Sequence, residues 1–383
     1  MARILLTGGR APAALELARI FKRAGHRVFL AESQPGNLSE TSNAIQAHYH
    51  VPPPRQQRDA FIRALKEIII KDQIDLLIPT CEEVFYVSMG LNQLAPLCRV
   101  YVDSIDRMEN LHHKYRFIQL CQGYGLPVPE TMPVSTLDDL QDAFQRWPRL
   151  VLKPVYSRFA TQTLILPSLN SKLFARLQEN GGSWVAQQYI EGIPYCSYTT
   201  VHQGQISAHA AYRSDFTAGQ GATVVFKSNS HKGLFKWVET FCALFQFTGQ
   251  IAFDFIETMD AQIYAIECNP RATSGVHLFA NNPQLSEAIL FPKTAPLFPL
   301  ESVPSYMLSA AMLGYALPDA VKTHRFQNWV QTFFSSQDVI FRWDDPLPAL
   351  CQVQSLFNFI YLGKRMGTSA LQASTADIEW NGE

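Results

Sequence analysis

Short apolar runs and helical stripes alternate along the first hundred residues of this chain. Arg3-Ile-Leu-Leu-Thr-Gly-Gly-Arg10 is a buried-strand pattern, Ala, Leu, Ile and Phe then recur at helical spacing over 11–24, and His26-Arg-Val-Phe-Leu-Ala31 is a second strand. A helix over 59–71 and a parallel-type strand at Ile74-Asp-Leu-Leu-Ile-Pro79 continue the alternation. This β-α-β rhythm predicts a Rossmann-like, doubly wound domain over 1–103. One helix is predicted over 104–123, with Ser104 as its N-cap and Gly123 or Gly125 near its end, before Pro127 and Pro129 prevent continuation. Strands at 149–155, 161–166 and 184–190, with a helix around 172–179, then make a small α+β unit. Antiparallel strands are expected over 198–213 and 222–227, followed by a helix over 234–246. Prolines 292, 296, 299 and 304 mark a linker to a last region of aromatic and apolar helix-like stretches.

Two further apolar runs carry oxygen-bearing side chains, Ile251-Ala-Phe-Asp-Phe-Ile-Glu257 and Ile263-Tyr-Ala-Ile-Glu-Cys-Asn-Pro-Arg271. Side chains two apart on a strand share a face, so Glu267 and Asn269 point the same way. A hairpin through 258–262 brings Asp254 opposite them. Carboxylates in such surroundings need a partner, and this set suits Mg2+ (Mn2+ as a substitute), which takes one or two carboxylates and completes its shell with water and phosphate oxygens. The residues therefore predict a nucleotide-phosphate metal site at Asp254, Glu267 and Asn269.

Composition narrows the class further. At 383 residues, with 47% hydrophobic and 17% charged positions, the chain has material for two or three folded domains sharing a cleft. Thirty-two basic and 33 acidic residues leave a formal charge of −1, so no global field draws it to nucleic acid or anionic membrane. Seven scattered cysteines without Cys-x-x-Cys spacing read as reduced thiols, and the N-terminal apolar run is too short for a signal sequence or a bilayer span. A soluble cytoplasmic protein is the expectation. Glu32 ends the second strand where a dinucleotide enzyme would hold a ribose, but the preceding turn has only Gly8-Gly9 and lacks a third glycine.

The order of Lys114, Leu126-Pro-Val-Pro129, Lys153-Pro154, Gln187-Gln-Tyr-Ile-Glu-Gly192, Asp254 and Glu267-Cys-Asn-Pro-Arg271 resembles the ATP-grasp superfamily. Its carbamoyl-phosphate-synthase-like and carboxylate–amine ligase members are the nearest in pattern, and the resemblance spans about residues 1–300. It implies an α/β and α+β multidomain protein: a Rossmann-like domain (1–103), an ATP-grasp fold of two α+β subdomains clamping ATP (104–295, with a mobile lid over about 130–183), and a C-terminal region (296–383) that caps or shapes the substrate side. Lys114 and Lys153 would contact ATP phosphates from opposite sides of the cleft. Gln187, Gln188, Tyr189 and Ile190 would read adenine, with Glu191 in reach of the ribose. Arg271, and with less support Arg213, would clamp a transferring phosphoryl group or a substrate carboxylate.

The pattern departs from the family at Val155-Tyr-Ser-Arg-Phe-Ala-Thr161, where many members carry a glycine-rich phosphate lid; here Ser157, Arg158 or Thr161 would substitute through side chains. His277 should border the acceptor site, which the segment 273–277 is expected to line. The implied activity is an ATP-dependent ligase that activates a small-molecule carboxylate as an acyl phosphate and joins it to an amine. An ATP-dependent carboxylase or small-molecule kinase using the same site, and an ATP-binding regulatory module without turnover, remain alternatives. A homodimer is compatible with all three.

Overall fold

The structure is a computed structural model and describes residues 1–157, 162–170, 172–179, 181–218, 221–300 and 302–382. The N-terminal unit follows from its strand patterns. Strands β1 (Arg3–Thr7), β2 (Arg27–Glu32), β3 (Ala47–His50), β4 (Leu76–Ile78) and β5 (Arg99–Val100) pair in parallel in the order β3-β2-β1-β4-β5. Alternate side chains leave opposite faces. Ile4, Leu6, Leu30 and Ile78 meet helix α1 (Pro12–Arg23), while Leu5, Phe29 and Leu77 meet α2 (Arg58–Asp72), so both faces are covered. Two short helices, α3 (Val84–Met89) and α4 (Leu91–Leu94), lie between β4 and β5. The β1–α1 turn uses Gly8 at φ +74°, where a Cβ would strike Thr80 and Glu83.

The single helix expected over 104–123 is two: α5 (Ile105–His112) and α6 (Lys114–Gly123). His113 adopts extended backbone between them and its ring accepts the Arg116 N–H, capping α6 in the manner of an N-cap residue. Hydrophobic periodicity runs through the break, which is why the pattern concealed it.

The next unit contains β6 (Thr131–Val134), α7 (Leu137–Arg146), β7 (Leu150–Pro154), β8 (Leu164–Ile165), α8 (Leu173–Glu179) and β9 (Trp184–Gln188), with antiparallel sheet order β6-β9-β7-β8. β6 and α7 were not anticipated; a Thr136–Asp139 capping box starts α7. Leu150, Leu152, Trp184 and Ala186 turn toward α7 and α8. Val151, Lys153, Val185 and Gln187 therefore face the other way.

Strands β10 (Ile193–His202) and β11 (Gln205–Arg213) begin the second antiparallel sheet. The run at 222–227 does not join it: β13 (Ala222–Thr223) pairs with β12 (Thr217–Ala218), and β14 (Val225–Phe226) enters a separate sheet. After α9 (Lys232–Phe245), β15 (Gly249–Glu257) and β16 (Ile263–Asn269) complete the order β11-β10-β15-β16. The chain continues through α10 (Gln284–Leu290) to β17 (Ser305–Met307), which binds β14 and β18 (Ser336–Asp338). The proline-rich segment before β17 is no free linker, because Leu297 exchanges backbone hydrogen bonds with Ser207 and His209 on β11. Helices α11 (Ser309–Ala311), α12 (Leu317–Lys322), α13 (Phe326–Ser335), α14 (Leu347–Met366) and α15 (Ala370–Ala373) follow, and the tail returns to the N-terminal unit. No helix among the described residues is long and apolar enough to cross a membrane.

Candidate active site

The β15–β16 hairpin sets the centre of the site. Asp254 pairs with Glu267 and Ala252 with Asn269, but Phe255 pairs with Ala265, so Ile266 is an extra residue bulged out of β16. In an unbroken ladder Glu267 would oppose Phe253, whose ring faces the α9 core. The bulge shifts the parity. It puts Glu267 and Asn269 on the face of Asp254 while leaving Cys268 and Ala265 in the core beside Phe253 and Phe255.

Two lysines meet this pair. Lys114, the first residue of α6, is 4% exposed; its Nζ lies 3.7 Å from Glu267 Oε2 and 3.4 Å from the Ser157 carbonyl. Lys153 comes from the opposing sheet and is 7% exposed, donating to Gln187 Oε1 at 2.8 Å. Burial brings the Lys153 ammonium down to about 8 against the pull of Glu267 and Asp254. Burial, then repulsion from Glu267, pushes the Asp254 carboxyl up to about 6. Two carboxylates and an amide oxygen on one face are the donors of a hard cation held in part by phosphate. Among the described residues no group of three or more His, Cys, Asp or Glu forms a self-sufficient protein cage. The set fits Mg2+ brought in with a triphosphate.

Arg271 stands at the end of this row. Its Nε donates to Glu82 Oε1 at 3.0 Å and its other nitrogens to Asn269 Oδ1 (3.2 Å) and the Ala272 carbonyl (3.4 Å). Burial opposes its charge, yet Glu82 and its neighbours keep the guanidinium's affinity for its proton above the usual value. Glu82 was missed by sequence reasoning, although it follows a parallel strand at its carboxyl end, where such sheets place ligand-side residues. Arg271 and Glu82 open onto a cavity of about 790 Å3. Thr273, Ser274 and Thr80 continue its polar end, while Leu308, Tyr315, Phe359 and Leu371 supply apolar wall from the C-terminal region.

Gln187 is buried and its amide also donates to Thr131 Oγ1 at 3.1 Å. The Gln188 and Tyr189 amides are engaged by the Glu130 and Arg149 carbonyls, whereas the Ile190 N–H bonds to no described residue. Glu191 is exposed and paired with Arg149 at 2.6 Å, and Arg149 also covers the Tyr189 ring.

Several expectations do not assemble here. Arg213 sits at the exposed end of edge strand β11, 2.8 Å from Asp215, away from the Asp254–Glu267 face. His277 is buried and bound to Glu16 of α1 at 3.0 Å, with Arg342 on the same carboxylate, so it ties elements together behind the cavity. Glu32 is occupied by Arg10 at 2.5 Å and holds no ribose position open. Arg158 and Thr161 lie outside the described residues.

Residues 111–275 match the family model described as the ATP-grasp domain, and the chain therefore carries an ATP-grasp domain. Solved structures with this fold include the L-amino acid ligase from Bacillus licheniformis, 18% identical, with a TM-score of 0.60 over 76% of this chain and 75% of that one. N5-carboxyaminoimidazole synthetase from Staphylococcus aureus complexed with ADP is 13% identical, with a TM-score of 0.63 over 84% and 86%. The biotin carboxylase domain dimer of the 2-oxoglutarate carboxylase from Hydrogenobacter thermophilus, in complex with MgADP, ADP and bicarbonate, is 12% identical, with a TM-score of 0.61 over 78% and 72%. No curated protein sequence matches the chain.

Proposed function

We propose that this protein is an ATP-dependent ligase that activates a small-molecule carboxylate as an acyl phosphate and joins it to an amine. The observation that carries the reading is the Asp254–Glu267 pair, set in register by the β16 bulge, facing Lys114 and Lys153 and adjoining the cavity that Arg271 heads. A carboxylate oxygen of the substrate attacks the γ-phosphorus and ADP leaves. The amine nitrogen then attacks the acyl carbon, phosphate departs, and the amine gives up a proton.

The residues mainly position and neutralise. Lys114 and Lys153 hold phosphate oxygens as compact charges, and Arg271 has guanidinium N–H groups to present to the substrate carboxylate. Mg2+ held by Asp254, Glu267 and Asn269 would supply charge neutralisation across the β- and γ-phosphates. The Ile190 amide, which bonds to no described residue, suits an adenine ring nitrogen. A cavity of this size lies within the range of about 300–1,000 Å3 usual for small molecules, and its polar head and apolar wall fit an acid with an apolar body.

The test is ADP release from Mg-ATP with mixtures of carboxylic acids and amines, followed by mass spectrometry of the product. An amide formed stoichiometrically with ADP supports the reading. Release that requires bicarbonate, with label from bicarbonate in the product, would replace it by the carboxylase reading; tight nucleotide binding with no turnover across the panel would leave a binding module.

A further inference from the structure

Helix α14 leaves most of its apolar side chains exposed. Toward its own chain Cys351 meets Thr41 at 3.2 Å, Ser355 donates to the Gly36 carbonyl at 2.8 Å, Gln354 and Asn358 lie near Gly36, Ala349 packs on the core and Phe359 lines the cavity. Its opposite face carries Leu350, Val353, Phe357 and Ile360, between 39% and 69% exposed. A surface helix ordinarily buries the apolar stripe and presents the polar one. Apolar surface of this extent, concentrated on one helix, marks an interaction site.

We propose that α14 is a homodimerisation helix, pairing antiparallel with α14 of a second copy about a two-fold axis near Ser355. Three features select a second copy. The seam residues recur at 3-4-3 spacing, the repeat of a two-stranded helical seam. They are also self-complementary, since an antiparallel two-fold at 355 sets Leu350 opposite Ile360 and Val353 opposite Phe357. Charge follows the same symmetry. The helix has no charged residue until Lys364 and Arg365, and the axis brings these to the start of the partner helix, beside Asp344. Asp344 is 71% exposed despite its contact with Arg23 at 3.6 Å.

The area suffices. With Leu347, Leu356 and Tyr361 flanking the seam, the apolar side chains of α14 offer on the order of 800 Å2 per chain, which is what a standard interface buries on each side. An anionic membrane is a poorer match, because only the two basic residues at one end would meet its headgroups.

Sedimentation velocity on the full chain at micromolar concentration tests this. The wild type is expected as a dimer, and Phe357→Glu as a monomer with an unchanged far-ultraviolet circular dichroism spectrum, since the side chain is 67% exposed and belongs to none of the core clusters. Asp344→Lys is expected to weaken association about fivefold, and adding Lys364→Glu with Arg365→Glu to restore it, a recovery that misfolding cannot mimic. A wild type that stays monomeric, a Phe357→Glu protein that stays dimeric, or an absence of rescue overturns the proposal. So does a monomer that sediments with phosphatidylcholine vesicles through the same face.

Discussion

Lys153 shows how position sets chemistry at the scale of a residue. It lies on the face of its sheet turned away from the helices, so its charge is buried against the opposite sheet, and burial holds its proton affinity at about 8, below the ordinary 10.5. The nucleotide-free protein therefore loses that charge as pH rises through 8, and under the proposed function a bound triphosphate would restore it. Mg-ATP affinity should fall as pH rises above 8, and binding should take up a proton, measured by calorimetry in buffers of differing ionisation enthalpy. Lys153→Arg should abolish the uptake. Stability moves the opposite way: the unfolded lysine keeps its proton to about 10.5, so the free protein gains stability between pH 8 and 10.5. In the proposed function Arg271 serves the acceptor side of the phosphates. Arg271→Ala should lower substrate-dependent ADP release by about 100-fold or more with nucleotide affinity largely retained.

Among elements, the β15–β16 hairpin and the segment leading into β10 decide whether the site exists. Deleting Ile266 would remove the bulge while leaving Glu267 opposite Asp254 and Cys268 opposite Phe253, so the variant should retain Mg-dependent nucleotide binding, measured by calorimetry. Gly192, just before β10, packs directly on the Glu257 carbonyl, and a Cβ there would collide with backbone. Gly192→Ala should cost about 1–3 kcal/mol, read as a lowered denaturation midpoint, and should displace the adjoining Tyr189–Ile190 segment so that ATP affinity falls as well. Both outcomes arise from strand geometry, since neither Ile266 nor Gly192 carries chemistry of its own.

At the scale of the molecule, the C-terminal tail ties the N-terminal sheet to the ATP-grasp domain. Arg10, at the turn after β1, is clasped by Glu32 and by Asp377 at 2.5 Å each, and Ser33 also donates to Asp377. Trp380 stacks on Phe85 and reaches His112 and Tyr156. Burial raises the Asp377 carboxyl, but Arg10 and Ser33 outweigh it and hold the group below its usual 3.8. That contribution is present above pH 4 and is lost as pH falls below it, so acid should release the tail, followed by Trp380 fluorescence against a Trp380→Phe control. Arg10→Ala leaves the buried Glu32 and the half-buried Asp377 without their cation and should cost about 3–5 kcal/mol.

The chain's own order of residues determined the Rossmann-like opening, the strand bearing Lys153, and the shared face of Glu267 and Asn269, because each rests on local periodicity. Local pattern also carried the ATP-grasp resemblance, since its motifs are short and stand on single elements. Tertiary structure alone decided the rest. The break at His113 depends on a side-chain cap, and the parity shift at Ile266 depends on how one strand pairs with another. The Arg271–Glu82 contact joins residues 189 apart, and the Arg10–Asp377 clasp residues 367 apart. Periodicity reports which face a side chain takes along its own element; which distant charge that face meets is set only when the sheets close on one another.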